Sequence, residues 1–296
     1  MKRGIWSAVG AYALWGLLPL YWHALDTVPA LQVVSHRIVW SCVLLAAVVI
    51  VTRRGKGFLT ACATPRTFAI YAVAAVLIGA NWFTYIWAVN AGFVVETSLG
   101  YFINPLFSVL LGVVFLKERL RPVQWLAVAI AAAGLLYLTA SYGAVPWIAL
   151  VLAVTFSVYG LVKKLAPLGS VQGLTLETGI LFLPALAILA YAASTSAEAF
   201  PQTSPMTSLL LVGTGVVTSI PLLLFAVASQ RIPLLWIGVL QYIQPTLQFL
   251  LGVLVFHEAM SLSRLAGFGA VWLALAIFAV EGWIEHRASL VPVTTE

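Results

Sequence analysis

Ten apolar runs of about twenty residues, joined by short connections, leave this chain few ways to fold. A helix needs about 20 apolar residues to cross a bilayer, where the backbone must satisfy its own hydrogen bonds. The runs fall at roughly 4–24, 30–51, 67–89, 94–116, 122–140, 145–163, 170–193, 207–229, 234–256 and 262–283. A membrane β-barrel alternates polar and apolar residues over segments of about ten, and 123–138 (VQWLAVAIAAAGLLYL) shows no such alternation. The expected fold is therefore an all-α polytopic membrane protein of ten transmembrane helices. Only 8% of residues are charged, against about 25% in soluble domains, so no soluble domain is expected. Met1-Lys2-Arg3 precedes a run of full spanning length without a clear cleavage site, and reads as a retained first span.

Basic residues set the expected orientation. With the N-terminus inside, the cytoplasmic segments hold Lys2, Arg3, Arg53, Arg54, Lys56, Arg66, Lys117, Arg119, Arg121, Lys163, Lys164, Arg231 and Arg287, while the other side holds Arg264. That bias puts both termini in the cytoplasm. The net charge of +6 is then a topology signal toward lipid headgroups, with no nucleic-acid partner implied. Cys42 and Cys62 suggest neither a disulfide framework nor a metal site, and no cofactor is expected.

The chain also contains itself twice. Shifted by 140 residues, Leu99–Gly134 falls on Val239–Ala274 without a gap, matching Pro105 to Pro245, Gly112 to Gly252 and Glu118 to Glu258. Upstream, Gln32 meets Gln172 and Pro65 meets Pro205. The division is a first five-helix repeat at 1–140, a second at 141–284 and a cytoplasmic tail at 285–296. Five is odd, so the second copy enters the membrane from the opposite face. Such inverted repeats are a framework for alternating access around a site near the midplane.

These residues resemble a known family. Trp15-Gly16, Arg37, and Asn104-Pro105 leading to Gly112 and Glu118 are similar to the EamA repeat of the drug/metabolite transporter superfamily. WGLLPLYWHAL (15–25), SHRIVWS (35–41), NWFTYIWAVN (81–90) and ETSLGYFINPLFSVLLGVVFLKERL (96–120) look like its RarD-type members. The resemblance implies ten helices, cytoplasmic termini, the bacterial inner membrane and transport of a small organic solute. The members' description as chloramphenicol-sensitivity or resistance permeases implies export more than import.

Charged residues inside spans usually face a cavity or a partner. Arg37, Glu96 and Glu177 are three such residues, and His36 can change charge near neutral pH. The 140-residue frame lays Arg37 on Glu177. Counting about 1.5 Å per residue, each lies about 11 Å below its own face, within reach of the middle of the bundle. Two readings stay open. In one, Arg37 binds an anionic group of the solute and His36, Glu96 and Glu177 couple protons or gate. In the other, the charges hold the bundle together, Arg37 pairing with Glu96.

Asn104-Pro105 and Gln244-Pro245 occupy matching mid-span positions, and each proline frees a carbonyl, that of Tyr101 and of Gln241. Asn81, Trp15, Trp82, Tyr159 and Tyr242 join Arg37, Tyr101, Asn104, Gln241 and Gln244 as candidate substrate-binding residues, an aromatic-lined set suited to an amphipathic solute. Trp6, Trp22, Trp147 and Trp283 read as interfacial anchors. Gly112 and Gly252 read as close helix packing, and Glu118 and Glu258 as helix-end pairs.

The leading expectation is a secondary transporter, coupled to protons or working by exchange, acting as a monomer or homodimer. The competing class is an integral-membrane enzyme, for which Glu96 with His36 is the best available pair.

Overall fold

The computed structural model of the chain describes residues 1–52, 58, 60, 62–91, 93–142, 146–195 and 204–255, then 265, 266, 269, 270, 272–274, 276, 277, 280 and 281. The side chains at 89, 90, 94–96, 98, 138, 141, 142 and 252 fall outside that description. Among the described residues every regular element is an α-helix. They are α1 (Lys2–His23), α2 (Ala30–Val51), α3 (Pro65–Asn90), α4 (Val94–Leu116) and α5 (Pro122–Tyr142). There follow α6 (Trp147–Leu165), α7 (Ser170–Ser194), α8 (Pro205–Ser229), α9 (Leu234–Gln241) and α10 (Ile243–Leu254), and helical residues recur between 265 and 281.

The helices begin and end within two residues of the first nine expected spans, because apolar length fixes them, while the ends of the tenth, 262–283, lie outside the described residues. α9 and α10 form a single span broken at Tyr242, three residues before Pro245, where the missing donor leaves the Gln241 carbonyl free. α4 runs unbroken through Pro105. Among the described residues seven stretches are long and apolar enough to cross a membrane, with α9 and α10 counted together over Leu234–Leu251. The protein is a multi-pass membrane protein.

Helix pairing follows the internal repeat. α2 packs on α7, and α4 on α9. The pair α1–α8 has its counterpart in α6–α3, α4–α6 in α10–α1, and α2–α8 in α7–α3. Exchanging the two halves therefore carries each of these pairings onto another of them, as is expected of oppositely inserted repeats around a two-fold axis. At the centre, a Cβ on Gly238 of α9 would stand 2.7 Å from the Pro105 carbonyl oxygen, so α4 and α9 approach backbone to backbone.

The largest apolar core lies toward the end of the bundle that carries the N-terminus. Ala8, Ala11, Tyr12, Leu45, Ala74, Ile78, Tyr159, Leu174, Leu222, Phe225 and Ile237 meet there from seven helices. We call this the basic end, after the Lys- and Arg-rich loops that flank it, and its opposite the far end.

Candidate functional site

The far half of the bundle holds a cavity with about 780 Å³ of unfilled space, mouth included. Each wall comes from the part of a helix nearer the far end or the middle. α1 supplies Trp15, Leu18, Pro19 and Trp22, α2 supplies Arg37, and α3 supplies Asn81, Trp82 and Tyr85. α4 adds Gly100, Tyr101 and Asn104, α6 adds Leu152 and Phe156, and α8 adds Leu222. Gln241, Gln244 and Gln248 complete it across the break between α9 and α10.

Arg37 is held in a fixed pose. Its Nε donates to Thr218 Oγ1 of α8 at 3.0 Å. Its guanidinium carbon sits 4.8 Å from the Trp22 ring and 4.6 Å from the Trp82 ring, so the electron-rich indole faces partly balance the charge. The amides nearby cross-link the walls. Asn81 Nδ2 donates to the Leu152 carbonyl and to Thr155 Oγ1, both at 3.0 Å, tying α3 to α6. Asn104 Oδ1 accepts from Ser157 Oγ at 2.6 Å, tying α4 to α6. Gln248 Nε2 donates to the Trp15 carbonyl at 3.4 Å.

Toward the basic end the cavity stops at packed rings. Phe225 lies 5.7 Å from Trp15, 5.4 Å from Phe156 and 5.9 Å from Tyr159 by ring centroids, and Tyr12 closes the cluster against Trp15. Behind them Lys163 Nζ meets Glu177 Oε1 at 2.6 Å, with both side chains 1% exposed. Tyr159 donates its hydroxyl to Glu177 Oε2 at 3.0 Å. Lys163 also lies against the Tyr71 ring, 5.5 Å from its centroid.

Two further contacts seal this end. Lys164 Nζ donates to the Ile232 carbonyl at 2.6 Å. The Glu118 carboxylate accepts the Leu234 and Leu235 amides at 2.7 and 2.8 Å, supplying acceptors to the exposed donors at the start of α9. Lys117 adopts φ 56°, which turns the chain back so that Glu118 reaches across. Gly112 leaves the room, since a Cβ there would stand 2.7 Å from Glu118 Oε2.

Eight of the candidate substrate-binding residues line the cavity: Trp15, Arg37, Asn81, Trp82, Tyr101, Asn104, Gln241 and Gln244. Tyr159 and Tyr242 do not: Tyr159 belongs to the aromatic plug, and Tyr242 packs with Phe102. His36 is 3% exposed and does not line the cavity, since it points away from its neighbour Arg37. The Glu96 side chain, and with it the Arg37–Glu96 pair and the Glu96–His36 enzyme reading, lies outside the described residues. So do Trp283, Glu258 and the surroundings of Gly252.

Some readings are corrected and others extended. Lys163 is not a loop cation: α6 ends at Leu165, two residues beyond the expected end, so the lysine falls in the last helical turn and is buried on Glu177. Glu177 therefore faces Lys163 and not the middle of the cavity. Trp22, expected as an interfacial anchor, is also a cavity wall over Arg37. Glu118 does serve a helix end, that of the neighbouring α9, and Gly112 packs closely on both its carboxylate and Leu234. Sequence reading also missed Tyr85, Phe156, Thr218 and Gln248. Tyr85 follows Asn81 by four residues on α3, a spacing that shares a helix face and offered a signal. Thr218 lies on another helix and offered none.

Comparison with known proteins fits this architecture. The EamA-like transporter family matches residues 2–140. The protein RarD of Streptomyces exfoliatus is 45% identical over 97% of this chain and 91% of its own. A Bacillus subtilis (strain 168) protein named as an uncharacterized transporter, YojE, is 45% identical over 97% of both chains. A crystal structure superposes with a TM-score of 0.70 at 20% identity, covering 93% of this chain and 96% of that one, a likeness of fold alone.

Proposed function

This chain belongs to the EamA-like transporter family, among its RarD-type members, and from that premise we propose a secondary transporter that exports a small organic solute by alternating access. The observation that carries the reading is a polar, aromatic cavity reaching mid-bundle that ends at the plug of Tyr12, Trp15, Phe156, Tyr159 and Phe225. A solute has access from one end while the other is shut, as alternating access requires.

In this reading residues 1–140 and 141–284 are the two rocking repeats. The protein lies in the bacterial inner membrane with both termini cytoplasmic, and the cavity opens to the outside. Trp15, Arg37, Asn81, Trp82, Tyr101, Asn104, Gln241 and Gln244 contact the solute, and Tyr159 and Tyr242 reach it when the repeats exchange positions. Glu177, latched by Lys163 and Tyr159, serves as a gate on the inner side. His36 and Glu96 are assigned to proton coupling.

The test is solute counterflow in proteoliposomes with aromatic amino acids, chloramphenicol and other amphipathic solutes. We expect at least one to exchange, and a proton gradient to drive its accumulation. No exchange of any solute, with no detectable binding, overturns the transporter reading. Unchanged coupling in both His36→Gln and Glu96→Gln removes those residues from the proton path.

A further inference from the structure

We propose that the solute is a monoanion bearing a carboxylate, received by the two terminal nitrogens of Arg37 while an apolar body lies along the aromatic wall. The proposal rests on the transporter reading and adds the chemical class of the cargo.

The argument starts from what Arg37 has left to offer. A guanidinium has two faces and a rim of five N–H donors. Here the Trp22 and Trp82 rings lie 4.8 and 4.6 Å from its central carbon, and Nε is engaged by Thr218 at 3.0 Å. Among the described residues no hydrogen bond engages the Nη edge, which lies in the guanidinium plane. That edge matches the two oxygens of a carboxylate, which guanidinium binds in plane through parallel hydrogen bonds. The two indoles and Thr218 fix its direction before any ligand arrives, so little side-chain freedom is lost on binding.

Charge points the same way. Among the described residues Arg37 is the single charged one lining the cavity, and no carboxylate lies within 4.0 Å of it. An ionised group inside a span calls for a counter-charge, and aromatic faces supply only part of one. A monoanion completes the balance, a cation is repelled, and a dianion leaves excess negative charge in a low-dielectric site. The rest of the wall argues against a bare inorganic ion. Trp15, Tyr85, Tyr101 and Phe156 offer flat apolar surface, and Gln241 and Gln244 offer amides for one further polar group. Glu177, the equivalent residue of the second repeat, is already neutralised by Lys163, so among the described residues the unmatched charge lies on the Arg37 side.

Matched acid and amide probes test this on the full chain in lipid nanodiscs. The pairs are 3-phenylpropionate with 3-phenylpropionamide, benzoate with benzamide, and hexanoate with hexanamide, with inorganic phosphate as a further arm. Binding is read by tryptophan fluorescence and thermal shift, and exchange by counterflow in proteoliposomes. We expect the aromatic acids to bind about tenfold or more tightly than their amides, as loss of a charge-assisted fork requires. Arg37→Gln should erase the acid preference, so that each acid binds no more tightly than its amide. Arg37→Lys, which keeps the charge but not the fork, should retain only part of it.

Amides that bind as well as acids overturn the anion proposal while leaving the transporter reading standing. Phosphate binding as tightly as the acids overturns the organic part. No binding and no exchange by any probe overturns the anion proposal, and the transporter reading is then decided by the broader solute set. If Arg37→Gln fails to fold, the acid–amide comparison on the unaltered chain decides alone.

Discussion

Replacing Lys163 by methionine strands a carboxylate inside the bundle, and the geometry sets the size of the effect. Nζ and Glu177 Oε1 are 2.6 Å apart, and neither side chain is more than 1% exposed. At an effective dielectric constant of about 20, unit charges at that separation attract by about 6 kcal/mol. Against this stands a desolvation penalty of several kcal/mol per ion. The two nearly cancel, so the intact pair contributes little net stability. Removing one partner leaves the penalty without the attraction, a loss of ~3–5 kcal/mol. Lys163→Met should therefore be strongly destabilising. The double variant Lys163→Met/Glu177→Leu should recover most of the loss, short of about 1 kcal/mol for the Tyr159 hydroxyl that loses its acceptor. Reversible unfolding in mixed micelles measures both of these and the single variant Glu177→Leu. A loss below about 1 kcal/mol for Lys163→Met, or a double variant as unstable as the single ones combined, would refute the reasoning.

Three other expectations follow from the same contacts. Glu118→Ala removes the acceptor for the Leu234 and Leu235 amides and should cost ~1–2 kcal/mol, while Gly112→Ala should be costly in the unaltered chain and milder beside Glu118→Ala, as a double-mutant cycle would show. Trp82→Ala uncovers one face of Arg37 and should weaken binding of a carboxylate probe by ~2- to 30-fold, read by titration in nanodiscs. A cysteine at Leu18, on the cavity wall, should react with an impermeant maleimide added from the side opposite the N-terminus, whereas one at Ala8, 0% exposed, should stay unmodified from either side.

Much of the site was legible because repeats and polar residues in apolar spans are visible along one dimension. Asn104 and Gln244 stood out as amides beside matched prolines, and both line the cavity. Arg37 stood out by its charge. Lys163 did not, because two residues of helix separate a loop cation from a buried one, and hydropathy fixes a helix end no better than that. Trp22 looked like an interfacial ring because depth along a helix says nothing of which neighbour the ring faces.

Read along one dimension, the chain already carried the first nine spans, with boundaries within two residues, and the 140-residue internal match. Each of these depends on apolar length or on self-similarity, which need no third dimension. Only the tertiary structure decided the pairings: Glu177 to Lys163, Glu118 to the start of α9, and Arg37 to Trp22, Trp82 and Thr218. Each partner arrives from another helix, at a rotation set by packing across the whole bundle. Closure at the basic end has the same origin, since side chains from several helices must converge there and no single segment encodes their meeting.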